Sequence, residues 1–185
     1  MARTPSNMLA LGTQAPDFSL PNTIDGKTHS FDNCSGANGT VVMFICNHCP
    51  YVIHVMEGIT AMAKEYQDKG IGFVAISSND VINYPDDDPA LMKETAKKYG
   101  FSFPYLYDES QDVAKEYDAA CTPDFYLFDC SKILVYRGQM DSSRPKNDLP
   151  VTGKDLRAAM DALLSRKTID TLQKPSLGCN IKWKV

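Results

Sequence analysis

Thr40-Val-Val-Met-Phe-Ile-Cys46-Asn47-His48-Cys49-Pro50-Tyr51 is the stretch on which the reading of this chain turns. Thr40 to Cys46 is a continuous β-branched and aromatic run, as expected of a strand covered on both faces. From Pro50 the period changes: Val52, Val55, Met56, Ile59, Ala63 and Tyr66 recur at helical spacing, and Gly70 supplies a stop. A Cys-x-x-Cys therefore sits where a buried strand hands over to a helix. The first turn of a helix carries unpaired N–H groups and the positive end of the helix dipole, and both favour a thiolate over a thiol. Cys46, at the mouth, is expected to be the more acidic sulfur and the nucleophile, within the depressed range of roughly 3.5 to 7.5 for such motifs. Cys49, one turn on and deeper, is expected to attack the mixed disulfide and release product. A partly protonated His48 beside the sulfurs would stabilise the thiolate further.

Working outward, Asp17 to Leu20 and Lys27 to Phe31 flank an Asp25-Gly26 turn and read as two short strands. A second buried strand is expected at Ile71–Ser77, then an amphipathic helix through Leu91, Met92, Ala96 and Tyr99, ended by Gly100. A short strand within Phe101–Tyr107, a short helix through Val113 to Tyr117, and a hairpin of Asp124–Asp129 with Ile133–Arg137 follow. The last helix shows one stripe, Leu156, Ala159, Met160, Leu163 and Leu164, with Thr152 as its expected N-cap. Strands alternating with helices, closed by a hairpin, imply an α/β layer with a mixed sheet. Asn79–Pro89 and Gly138–Pro150 fit no element, and loops that long are often functional. The Asp86-Asp87-Asp88 run reads as a solvated surface.

The 185 residues, 43% apolar and 23% charged, suit one soluble domain. Nineteen Lys+Arg against 23 Asp+Glu, with no basic block, argue against a nucleic-acid partner. No apolar run is long enough to span a membrane, and the polar N-terminus lacks a secretory signal, so a cytoplasmic location is expected. Six cysteines in a reducing compartment point to redox or metal chemistry before structural disulfides, and the sequons at Asn33 and Asn38 carry no weight there. Zinc would draw on Cys46, His48, Cys49 and His54. A closed site usually takes a second ligand pair from a separate segment, and adjacent His48 and Cys49 are poorly placed on one tetrahedral ion. Covalent haem needs a histidine directly after the second cysteine, where Pro50 stands. No metal and no cofactor are therefore expected. His54 reads as a helix-surface histidine, and His29 carries no functional signal.

Cys46-Asn47-His48-Cys49-Pro50 resembles the active site of the thioredoxin superfamily. Gly12-x-x-Ala15-Pro16-Asp17-Phe18-x-Leu20-Pro21 resembles the opening of its redoxin branch, which holds peroxiredoxins and membrane-anchored thiol–disulfide reductases. Cys121-Thr122-Pro123-Asp124-Phe125 resembles the loop that carries the superfamily's cis-proline. The resemblance runs from Leu11 to Leu164 and is closest to a peroxiredoxin-like group with a Cys-x-x-Cys-Pro site. It implies an α/β, thioredoxin-like fold: a central mixed β-sheet flanked by helices on both faces, with an N-terminal β-hairpin extension. Residues 1–10 would form an arm, 11–166 the domain, and 167–185 a tail packed on it. It implies Cys46, Cys49, His48 and Pro123 as catalytic residues, and Asn47, Pro50, Thr122 and Cys121 as substrate-binding residues. A cis Thr122–Pro123 bond would turn the loop's backbone towards Cys46 and offer strand-like hydrogen bonds to a bound peptide or thiol. The implied partners are a thiol or disulfide substrate and an electron-donating thiol system, with neither nucleic acid nor membrane. Against a thioredoxin with Gly-Pro between its cysteines, His48 predicts a potential less negative than roughly −270 mV.

Departures separate the branches. Laid over the peroxiredoxin pattern Pro-x-x-x-Thr-x-x-Cys with Cys49 as the attacking cysteine, the chain has Cys46 for the threonine and Val42 for the proline. It has Pro123 about where peroxiredoxins carry an arginine, so the O–O bond loses electrostatic activation; Arg137 and Arg144 are candidates with nothing in the sequence aiming them at the site. Ile45 replaces the tryptophan of thioredoxin. Thiol–disulfide exchange through a Cys46–Cys49 disulfide is thus the leading function, a thiol peroxidase the second, and a non-catalytic binding module of the same fold the third. Cys121, two residues before Pro123, is a candidate third redox sulfur. Cys179 is a candidate resolving thiol, since the segment from Leu164 reaches about 50 Å when extended; the alternative is a passively packed tail anchored by Trp183. Cys34 and Cys130 read as unpaired bystanders.

Overall fold

The computed structural model describes residues 3–185. In chain order the elements are β1 (Arg3–Pro5), β2 (Ser19–Pro21), β3 (Thr28–Ser30), α1 (Phe31–Cys34), β4 (Gly39–Phe44), α2 (Pro50–Gln67), β5 (Ile71–Ser77), α3 (Pro89–Tyr99), β6 (Tyr105–Tyr107), α4 (Asp112–Glu116), β7 (Cys121–Thr122), β8 (Asp124–Asp129), β9 (Leu134–Gly138), α5 (Lys154–Leu164) and β10 (Leu177–Asn180). A central sheet runs in the order β6-β5-β4-β8-β9. The β4–β5 and β5–β6 pairs are parallel, whereas β4–β8 and β8–β9 are antiparallel, so the sheet is mixed.

The alternation of side chains along β4 builds two cores at once. Val41, Met43 and Ile45 face one, with Met56, Ile59, Met92, Leu156 and Met160 from α2, α3 and α5. Val42 and Phe44 face the other, with Phe31 of α1, Val113 and Ala114 of α4, and Leu20 of the β2–β3 hairpin. Edge-to-face rings tie the second core together, among them Phe31 on Phe128 and Tyr117 on Phe44. Helices thus cover both faces, and the hairpin extends the smaller one. Helix α3 ends at Gly100, whose left-handed φ of 65° lets its N–H reach the carbonyls of Ala96 and Lys97.

Three expectations need correction. Helix α2 begins at Pro50 with Cys49 as its N-cap, so Cys46 lies upstream of the first turn rather than at its mouth. Gly153, at a φ of 69°, caps α5 in place of Thr152. The carboxylate of Asp141 fixes that corner by accepting the N–H groups of Thr152 and Gly153 at 2.7 and 2.6 Å. The tail is anchored by Ile181, which is 1% exposed, while Trp183 is 39% exposed. Arm and tail are woven into one small antiparallel sheet of order β1-β10-β7, with Cys179 opposite both Arg3 and Thr122. Among the described residues, no helix is long and apolar enough to cross a membrane.

Candidate active site

Backbone hydrogen bonds carry the chain from β4 into α2. Ile45 N–H donates to Ile76 O at 3.0 Å, and Val52 and Ile53 donate to Cys49 O at 3.0 and 2.9 Å. Between these anchors Cys46 and Cys49 turn towards the loop of Thr122 and Pro123, whose peptide bond is cis. Cys46 Sγ lies 3.4 Å from Thr122 Oγ1, and Cys49 Sγ lies 3.2 Å from Thr122 O. Cys46, Cys49, Thr122 and Pro123 therefore converge from two segments far apart in sequence. Both sulfurs are buried, at 1% and 0% exposure, so the expected opening at Cys46 is absent.

The expected order of acidity is reversed. Cys49 is held down to about 5, first by the Cys46 thiol beside it and then, against the cost of burial, by the Cys179 thiol. Cys46 is pushed well up, because it gives its hydrogen bond to Cys49, is itself buried, and faces the Asp87 carboxylate. As the N-cap, Cys49 lies nearer the positive end of the α2 dipole than Cys46 does.

The residue that sequence reasoning missed is Asp87. It belongs to the acidic run read as solvated, yet its exposure is 0%. Its Oδ1 accepts the N–H groups of Asn47 and His48 at 2.8 and 3.3 Å, and its Oδ2 accepts from Asn79 Nδ2 at 2.7 Å and lies 2.7 Å from His48 Nδ1. The long loop before α3 thus holds the Cys-x-x-Cys loop in place. Burial alone would raise the Asp87 carboxyl, but the bonds from His48 and Asn79 bring it below its ordinary value. The Asp87 hydrogen bond in turn raises His48 above its ordinary value, against a smaller effect of burial, and so favours the imidazolium. The His48 ring stacks on Tyr84 at 5.9 Å between centroids. No signal in the sequence set Asp87 apart from Asp86 and Asp88.

The remaining site residues fall into place unevenly. Asn47, expected to bind substrate, uses its amide inside the protein: Nδ2 donates to Asp86 O at 2.9 Å, and Oδ1 accepts from Tyr105 OH at 3.1 Å. Cys121 is buried beside Pro123 O, and burial keeps it a thiol, well above the ordinary range. Thr122 does not offer a free strand edge, because β10 of the chain's own tail already pairs with it. Cys179 makes that contact, opposite Thr122 in the β7–β10 pair. Cys34 is buried and Cys130 exposed, and both are free.

Pro50 and Cys179 line a groove of about 520 Å³ that also presents Tyr51, Arg3, Arg144 and Lys146. The Arg144 guanidinium is braced by Asp141 O, Ser143 O and Gln139 Oε1 at 2.6–2.7 Å. Arg137 instead donates to Leu9 O and Gln173 Oε1. The four-ligand zinc set is not assembled, since His54 Nε2 lies 2.7 Å from Ser143 Oγ. Donor atoms of Cys46, His48 and Asp87 do lie within 4.8 Å of one another. Both Asp87 oxygens already accept bonds from the loop, which makes the trio a hydrogen-bond network of the protein itself.

Known proteins are similar to this chain to different extents. The thiol-disulfide oxidoreductase ResA of Geobacillus thermodenitrificans is 24% identical over 127 residues, 68% of this chain and 67% of that protein. The chloroplastic peroxiredoxin Q of Populus jackii is 30% identical over 106 residues, 57% of this chain but only 46% of that protein. The crystal structure of an uncharacterized conserved protein from Geobacillus kaustophilus is 55% identical with a TM-score of 0.98, covering 100% of this chain and 97% of that one. More distant thioredoxin-like structures share the fold. The AhpC/TSA family model matches residues 11–137, which span the β2–β3 hairpin, both cysteines of the motif and the cis-proline loop, and the chain belongs to that family.

Proposed function

We propose that the protein is a thiol–disulfide oxidoreductase that cycles between a dithiol and a Cys46–Cys49 disulfide. The observation that carries this reading is the convergence of the two sulfurs on the cis-proline loop, with Cys46 Sγ 3.4 Å from Thr122 Oγ1 and Cys49 Sγ 3.2 Å from Thr122 O. A disulfide exchanged with a thiol or disulfide substrate is then resolved within the pair. His48, raised by Asp87, adds positive charge next to the thiolate, and an oxidoreductase and a peroxiredoxin among the relatives support redox chemistry in general. Stabilising the thiolate stabilises the reduced form, which makes the disulfide the stronger oxidant.

A glutathione redox titration followed by alkylation and mass spectrometry tests this. The pair is expected to titrate as one two-electron couple above roughly −270 mV, and Cys46→Ser or Cys49→Ser is expected to abolish disulfide exchange in an insulin reduction assay. A potential at or below that value would sink the oxidant reading, and turnover surviving either substitution would sink the pair.

One observation favours a second reading. Cys49, in the position of the attacking cysteine of the peroxiredoxin pattern, is the acidic sulfur, which suits attack on a hydroperoxide. Peroxide consumption with dithiothreitol separates the two, and silence in both assays favours a binding module.

A further inference from the structure

Cys46, Cys49 and Cys179 belong to one buried cluster beside the cis-proline loop. Cys49 and Cys179 meet on one residue of that loop: Cys49 Sγ lies 3.2 Å from Thr122 O, and Cys179 is the register partner of Thr122 across the β7–β10 pair. Strand β10 thus occupies the edge expected to receive an extended substrate, and it brings its own cysteine there. Gly178 permits the approach, since a Cβ at that position would lie 1.9 Å from Thr122 O. Of the three sulfurs, Cys179 is the one in the wall of the 520 Å³ groove, which carries Arg3, Arg144 and Lys146 and no carboxylate side chain. That volume suits a small molecule, and walls of one charge concentrate a ligand of the opposite charge.

We propose, building on the Cys46–Cys49 cycle, that Cys179 is a third redox-active thiol that carries the buried disulfide to this groove, where an anionic low-molecular-weight thiol reduces it. Cys179 attacks the Cys49 sulfur of the Cys46–Cys49 disulfide. The Cys49–Cys179 bond forms as the Cys46–Cys49 bond breaks, and Cys46 leaves as a thiolate that takes up the proton Cys179 gives up. No electron is gained or lost in this step. An external thiolate in the groove then attacks Cys179, forming a mixed disulfide and freeing Cys49 as a thiolate. A second external thiol attacks the external sulfur of that mixed disulfide and releases Cys179. Two external thiols have become one disulfide, and one protein disulfide has become two thiols.

Cys46→Ser isolates the relay pair. Treated with oxidised glutathione, this variant is expected to yield a Cys49–Cys179 cross-linked peptide in non-reducing mass spectrometry, and the Cys46→Ser/Cys179→Ser double variant to stop at a glutathione adduct. A Cys46→Ser protein that also stops at the adduct overturns the proposal. So does acid-trapped wild type that shows Cys46–Cys49 across the titration and never Cys49–Cys179; that outcome leaves the Cys46–Cys49 cycle standing, whereas absence of the Cys46–Cys49 peptide at every potential ends the cycle itself. For the groove, Lys146→Glu is expected to slow reduction of the oxidised protein by glutathione several-fold and not by cationic cysteamine. Equal effects on the two thiols overturn the assignment of an anionic ligand.

Discussion

Acidity in the cysteine pair is decided by position relative to the first helical turn, and α2 starts at Pro50 with Cys49 as its N-cap. The Cys49 sulfur sits beside the start of α2 and close to two other thiols, while Cys46 faces the Asp87 carboxylate. Thiolate absorbance near 240 nm is therefore expected to rise with a midpoint near pH 5 in the reduced protein, as the value of about 5 for Cys49 requires. Cys49→Ser is expected to remove that step, and Cys46→Ala to move it upwards by deleting the largest donor. A low-pH step that persists in Cys49→Ser would return the charge to Cys46. Residue types and spacing announced that one sulfur of the pair would be acidic. Which one depended on where α2 starts, and Pro50 suits the first helical position whichever cysteine is charged.

At the scale of elements, β10 is the segment whose place the sequence did not disclose. A four-residue strand with Gly178 at its centre has little periodicity to read, and its pairings join Cys179 to Arg3 and to Thr122, both far away in the sequence. Its requirement for glycine is steric: an added Cβ would meet Thr122 O at 1.9 Å. Gly178→Ala is expected to push β10 off the cis-proline loop. Two signs would follow, faster amide exchange over residues 177–181 and faster alkylation of Cys179 by a charged maleimide, with the central sheet still protected. Unchanged exchange in the variant would show that β7 and β10 are not held by this close approach. The Asn79–Pro89 loop was singled out for its length, and its function proved to be anchorage: Asn79 and Asp87 fix the Cys-x-x-Cys loop, and Asn79 also accepts the Lys182 N–H of the tail at 2.8 Å.

For the whole molecule, stability should respond to pH through a carboxyl in the core. Asp124 is fully buried, and burial raises it from 3.8 to about 6, outweighing the hydrogen bonds from Ser6 and Tyr126. Its folded pKa lies above the unfolded one, so the stability it contributes is fully present below about pH 4 and is lost as pH rises through 6. A shift of this size corresponds to about 3 kcal/mol at neutral pH. Asp124→Asn keeps an acceptor oxygen for Ser6 and Tyr126 without the charge. It is expected to be more stable than wild type in denaturant at pH 7.5, by roughly 1–3 kcal/mol, with the difference vanishing near pH 4. A variant less stable at both pH values would show that the ionised carboxylate is well solvated by its neighbours.

The sequence by itself determined the layered α/β architecture, the Cys-x-x-Cys at a strand–helix junction and the loop of Thr122 and Pro123. Each of these is written in local patterns: alternation along β4 and β5, helical spacing along α2 and α5, and residue types adjacent in the chain. Only the tertiary structure decided that Asp87 rather than its neighbours is buried, that the tail rather than a ligand pairs with Thr122, and that Cys179 joins the two sulfurs of the motif. Those are contacts between segments that share no local pattern, and whether an acidic side chain is solvated or buried depends on what the rest of the chain packs against it.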